Sequence, residues 1–207
     1  MEKETILKAL RPVVVNKNQL EGSAVSRAVE GTDLAAKVMV MENDGPRALT
    51  EDEIKSLCMT REEMFRQAMR NQQKEEYALI PLSQITGQYD PSSTLVLTRH
   101  GGQYGASEIL NKEALADAAE QIGSYYIIPS SRHELQLVPK ETGLTAEDLN
   151  FILETMNERI PVDDRLSNQV YEYSFARKKI SIPEKVNEEQ VNVSEEQETT
   201  RTHMGRI

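Results

Sequence analysis

Arg99-His100-Gly101 follows a short apolar run, TLVLT (94–98), and is the chain's clearest candidate for chemistry. An imidazole at the end of a strand can attack phosphorus while cations hold the phosphate oxygens and a carboxylic acid protonates the leaving group. That mechanism needs a second His and a second Arg. The later histidines are His133, which follows Arg132, and His203.

The three letters match the opening motif of the histidine phosphatases, but their surroundings differ. In those enzymes the motif opens the domain, its strand leads into a loop and helix, and the second His comes much later. Here the motif sits mid-chain, and GGQYG (101–105) reads as a turn into a second short strand or a helix entry at ASEIL (106–110). His100 is therefore expected at an exposed polar hairpin tip. A phosphoesterase using Arg99 and His100 is the alternative functional reading.

Other reactive residue types lack partners. His133-Glu134 would begin a zinc-binding helix only if a second His stood at 137, and that position is Leu137. Cys58, the single cysteine, lies between Leu57 and Met59 and reads as a small buried hydrophobe. Asp163-Asp164 is an acid pair in a loop, and two carboxylates divide acid and base roles only in a shared, desolvated cleft. No metal site and no cofactor is expected. The binding candidates are Pro129, Ser130, Ser131, His133 and Glu134, in the turn PSSRHE. The competing account is a tight turn, with Pro fixing the backbone, the serines bonding back to it and His133-Glu134 pairing across the tip.

Elements that must position these residues can be read from periodicity and punctuation. Ile6, Leu7 and Leu10 suit a short helix that stops before Pro12, and PVVV (12–15) a strand. DLAAKVMVME (33–42) reads as a strand running into the turn Asn43-Asp44-Gly45-Pro46. Thr50 with Glu53, and Thr60 with Glu63, each have the spacing of a reciprocal helix cap. The second of these helices puts Met64, Phe65, Ala68 and Met69 on one apolar face, read as core. Residues 71–93 read as a long connection around a short ALIPL segment. Beyond TLVLT come a helix from Asn111 to Gly123, a hairpin of SYYIIP (124–129) and HELQLVP (133–139), a helix capped by Thr145, and a last strand, QVYEYSF (169–175).

The composition bounds the rest. In 207 residues, 24 basic against 34 acidic side chains give a net charge of −10, which repels nucleic acid and anionic lipid unless positive charge is clustered. Arg66 with Arg70, and Arg177 with Lys178 and Lys179, read as solvated faces, so no nucleic-acid partner is expected. No apolar run reaches the ~20 residues of a membrane span, and MEKETILKALRP lacks the apolar centre and cleavage site of a signal peptide. With one cysteine no intrachain disulfide can form, so a cytoplasmic location is expected. Residues 182–207 are rich in charged and amide side chains and are expected to form a disordered acidic tail.

One longer pattern carries a resemblance. It comprises Gly105 to Leu110, the Tyr-x-Ile-Pro-Ser-Ser-x-His-Glu hairpin from Tyr126 to Glu134, the helix from Leu149 to Asn157, and Leu-Ser-x-x-Val-Tyr-x-Tyr from Leu166 to Tyr173. With LTEDEIKSLCMTREEMFRQAMRN upstream, it resembles an uncharacterised family of Gram-positive bacterial proteins, often on mobile elements and carrying a domain-of-unknown-function label. The resemblance runs over about residues 10–176 and implies no catalytic residue. The expected architecture is an α+β protein, mainly antiparallel, with helices packed on one face. It would comprise an N-terminal lobe (1–75), a connection (76–93), a C-terminal lobe (94–178) and the tail. The expected function is a non-enzymatic accessory or binding protein, of mobile-element or phage origin, that acts on a protein partner or a small ligand.

Overall fold

The computed structural model describes residues 2–20 and 25–184. A short helix, α1 (Lys3–Ala9), hands directly to β1 (Leu10–Asn16), and Pro12 is tolerated because β1 is an edge strand. Together β1, β2 (Ser26–Ala28), β3 (Leu34–Glu42) and β4 (Gly45–Ala48) form a four-stranded antiparallel sheet. β3 is its centre: β1 pairs along one side, while β2 and β4 share the other. The β3–β4 hairpin turns at Asn43-Asp44, and Gly45 and Pro46, expected in the turn, open β4.

The helices α2 (Glu51–Leu57) and α3 (Arg61–Gln72) begin as the spacing predicts. The Thr50 and Thr60 hydroxyls accept from the amides of Glu53 and Glu63, and each carboxylate accepts from the Thr amide in return. α3 buries Met64, Phe65 and Ala68. Cys58 departs from its expected role. It is exposed, in the left-handed region at φ 51, where it ends α2 and turns the chain into α3.

The second sheet has six antiparallel strands in the order β10-β9-β7-β8-β6-β5. These are β5 (Tyr77–Pro81), β6 (Leu95–Arg99), β7 (Tyr125–Ser131), β8 (Glu134–Pro139), β9 (Tyr171–Ser174) and β10 (Lys179–Ser181). The region expected as a connection thus supplies an edge strand, β5, followed by a short helix, α4 (Leu82–Thr86). Of the two readings of ASEIL, the helix entry is the one that forms: Gly105–Leu110 is a 3-10 helix, buried from Gly105 to Ile109, that leads into α5 (Lys112–Ile122).

Strand alternation gives the larger sheet two apolar faces. Tyr125, Ile127, Leu137 and Tyr171 point into a core shared with α3, α5 and the four-stranded sheet. Their neighbours Ile128, Val138 and Val170 point the other way, against Leu149 and Leu153 of α6 (Ala146–Arg159). The antiparallel α+β class is therefore as expected. The packing of helices on one face holds for α3 and α5, while α6 covers the opposite face. Of the expected acidic tail, residues 185–207 lie outside the described residues.

Candidate functional site: a groove between α3, α5 and the end of the large sheet

The two residues of the phosphatase-like motif have separate fates. Arg99 is only 6% exposed, and its Nε donates to Oε1 of Glu108 at 2.7 Å. Its Nη1 lies 3.2 Å from Glu75, whose other oxygen accepts from Arg11 Nε at 2.5 Å. Glu108, 1% exposed, also accepts from Gln72 Nε2 at 3.0 Å and Asn111 Nδ2 at 2.9 Å. The guanidinium is thus spent on a buried brace linking β1, α3, β6 and the 3-10 helix. A phosphate would have to displace two carboxylates to reach it. His100 is exposed, and its amide donates to the Glu76 carbonyl at 3.1 Å. The β6–β8 register brings His100 and His133 to the same end of the large sheet. Among the described residues no hydrogen bond or ring contact joins them.

The PSSRHE turn makes its contacts inward. Pro129 and Ser130 are buried, and Ser131 Oγ accepts from the His133 amide at 3.2 Å. The His133 carbonyl accepts twice, from the Gly105 amide and from Thr98 Oγ1, each at 3.0 Å. The imidazole tilts against Tyr104, with ring centres 5.4 Å apart, and lies 3.7 Å from Asp164. Arg132 Nε forms an ion pair with the same carboxylate, 2.5 Å away. His133 therefore pairs with Tyr104 and Asp164 rather than with Glu134. The fit is close enough to exclude a side chain at Gly105, where a Cβ would stand 2.4 Å from Thr98 Oγ1 and 2.5 Å from the His133 carbonyl oxygen.

A second polar junction explains the Leu-Ser-x-x-Val-Tyr segment. The Asp33 carboxylate accepts from Asn16 Nδ2 at 3.0 Å, from Ser167 Oγ at 2.9 Å and from the Tyr171 hydroxyl. Burial, reinforced by that carboxylate, pushes the Tyr171 phenol well above the ordinary tyrosine range. Asn157, at the end of α6, holds the Ser167 carbonyl at 2.9 Å.

The open surface lies beside the brace. A cavity of about 780 Å³ is lined by Gln72, Glu76, Tyr77, Asn111 and neighbours. It shares Met69, Leu110, Lys112 and Glu113 with a second cavity of about 630 Å³, whose floor includes Phe65, Leu115, Tyr173 and Ile180. The two form one groove running from β5 between α3 and α5 to β9 and β10. Its β5 half is lined mainly by polar side chains and its β10 half mainly by apolar ones, and its two ends differ in charge. Glu75 and Glu76 stand at the β5 end, where Tyr77 donates to Asp117 and that bond holds the phenol up to about 12. The β10 end is rimmed by Arg27, Lys178 and Lys179, against Glu30, while Lys112 and Glu113 stand where the two cavities meet. Arg27 is paired with Glu62 and stacks over Phe65, its guanidinium carbon 4.4 Å from the ring centre. Among the described residues, no carboxylate pairs with Lys112, Lys178 or Lys179.

Sequence reading missed this groove because its residues look ordinary singly. Phe65 and Met69 have the spacing of a buried stripe, and Lys178-Lys179 that of a solvated turn. The departure lies in Met69, which is only half buried because the stripe outruns what covers it. Among the described residues no group of three His, Cys, Asp or Glu side chains is placed to hold a metal ion, and no helix is long and apolar enough to cross a membrane.

No curated protein and no solved structure matches the chain. A family of unknown function, DUF5688, matches residues 33–175, a span that opens at the Asp33 junction and closes just beyond β9. Its 3-10 helix, its PSSRHE turn and its Leu-Ser-x-x-Val-Tyr segment all fall within that match, and the chain belongs to this family.

Proposed function

We propose that this protein is a non-enzymatic binding or accessory protein of a mobile element or phage that seats a partner polypeptide in the groove between α3 and α5. The observation that carries the reading is the groove itself: two adjoining cavities of about 780 and 630 Å³, the second with an apolar floor of Phe65, Leu115, Tyr173 and Ile180 and a lysine rim that no carboxylate pairs among the described residues. Such a surface offers burial for apolar side chains and long-range attraction for acidic ones. The alternative, a phosphoesterase using His100, has less support, since Arg99 is committed to Glu108 and Glu75.

The test is retention of a host protein by immobilised residues 1–184. A specific partner retained by the native sequence and lost with Met69→Asp supports the reading, provided the variant keeps its melting temperature. Retention unaffected by Met69→Asp but lost with a charge in the PSSRHE turn would move the site there. Hydrolysis of p-nitrophenyl phosphate that disappears with His100→Ala would replace binding by catalysis.

A further inference from the structure

We infer that the chain carries its own competitor for this groove, in the acidic stretch VNEEQVNVSEEQE (186–198). The inference rests on the groove being a polypeptide site and names one occupant. Three observations support it.

The first is position. β10 ends at Ser181, and Lys179 and Ile180 of that strand line the groove. The last described residue, Glu184, therefore stands just past its rim. An extended chain spans about 3.3 Å per residue, so the seven steps from Glu184 to Val191 reach roughly 23 Å. That is ample to turn back along the groove.

The second is charge. The stretch holds Glu188, Glu189, Glu195, Glu196 and Glu198 and no basic residue. Lys112, Lys178 and Lys179 rim the groove without a carboxylate partner among the described residues, and they outnumber Glu30 and Glu113 there. Like charges on the glutamates would keep the stretch away from the β5 end, where Glu76 stands. The pairing thus has a preferred end as well as a sign.

The third is pattern. Val191 and Val193 are two apart, so an extended segment puts both on one face, about 7 Å from each other, with glutamates on either side. Two small apolar side chains between acidic flanks complement a floor of Phe65, Leu115 and Ile180 below a lysine rim. A segment tethered this closely acts at an effective concentration on the order of 1 mM. With an intrinsic dissociation constant of about 0.1 mM it would lower the apparent affinity of a competing ligand about tenfold.

The probe is a fluorescein-labelled peptide of residues 186–198, titrated by polarisation against the full chain and against residues 1–184, which contain every residue of the shared core. The expected results are binding to 1–184 that weakens with salt, binding about tenfold weaker to the full chain, and loss on Lys112→Glu with Lys179→Glu. Replacing Val191 and Val193 of the peptide by Asn should also weaken it. Equal affinity for the two lengths, or affinity unaffected by the lysine reversals, overturns the inference and leaves the partner-binding test above standing. Should the peptide behave as expected while no partner is retained, self-occupancy stands and the partner reading falls.

Discussion

Replacing Arg99 by Met separates a structural brace from a catalytic arginine. The substitution keeps the side chain's length and apolar stem but removes the guanidinium that bonds Glu108 and approaches Glu75. Glu108 is 1% exposed and would keep only Gln72 and Asn111 as donors. Leaving one member of a buried ion pair uncompensated costs about 3–5 kcal/mol. For a domain of this size each kcal/mol moves the melting temperature by roughly 2–4 °C, so Arg99→Met should melt about 6–20 °C lower. Glu108→Gln alone should also destabilise. The two changes together should cost clearly less than the sum of the single ones, as coupled neighbours do. Scanning calorimetry on the four proteins decides it. An Arg99→Met protein that melts within about 2 °C of the native chain, with effects that simply add, would refute the brace and return Arg99 to the pool of available cations.

Three further outcomes follow from the same contacts. Gly105→Ala should destabilise by about 1–3 kcal/mol or more, because the new methyl meets the Thr98 main chain at 2.7 Å as well as the His133 carbonyl; a urea midpoint unchanged from the native chain would contradict that fit. Glu53→Gln should cost about 1–2 kcal/mol near neutrality, since Glu53 both caps α2 and takes two bonds from Arg47, which hold its carboxyl down to about 2. A depressed folded value means that this stability is fully present above the ordinary glutamate range and is lost as pH falls toward 2. Native and variant stabilities should therefore converge in acid, and a constant gap from pH 7 to 2 would count against the assignment. Asp33→Ala should lower the melting temperature by several degrees, because Asn16, Ser167 and Tyr171 lose their shared acceptor; Ser167→Ala, which removes one donor, should do less.

Local signals in the sequence proved the legible ones. The Thr50, Thr60 and Thr145 caps depend on residues three apart, and all three form. The β7–β8 hairpin, the strand at TLVLT and the helix ending at Gly123 were similarly visible, since alternation and punctuation are local properties. What stayed hidden depends on partners far along the chain. β5 reads as a polar connection until Tyr77 is set opposite Arg99 in the sheet. ASEIL stays open between a strand and a helix entry until Val14, ninety-three residues away, is seen donating its amide to Ser107. Cys58 reads as a small buried hydrophobe, yet the chain needs a left-handed residue there to turn from α2 into α3. Arg99 reads as a reagent because its true partners, Glu108 and Glu75, carry no spacing that advertises them. The groove is the extreme case, for it exists only where α3, α5 and β10 come together.

The Asp33 junction also has a consequence for how the chain reaches this state. Its acceptor binds Ser167 and Tyr171, 134 and 138 positions away, while Asn16 reaches across to the Leu166 carbonyl at a separation of 150. None of these bonds can form until a loop of most of the chain has closed, and closure entropy must be met before the contacts reward it. Folding should accordingly be slow for a domain of this length. The four-stranded sheet, tied at β1 and β3 to a segment that arrives last, should open only together with the large one, so amides of β1 and β9 should exchange through a single shared event.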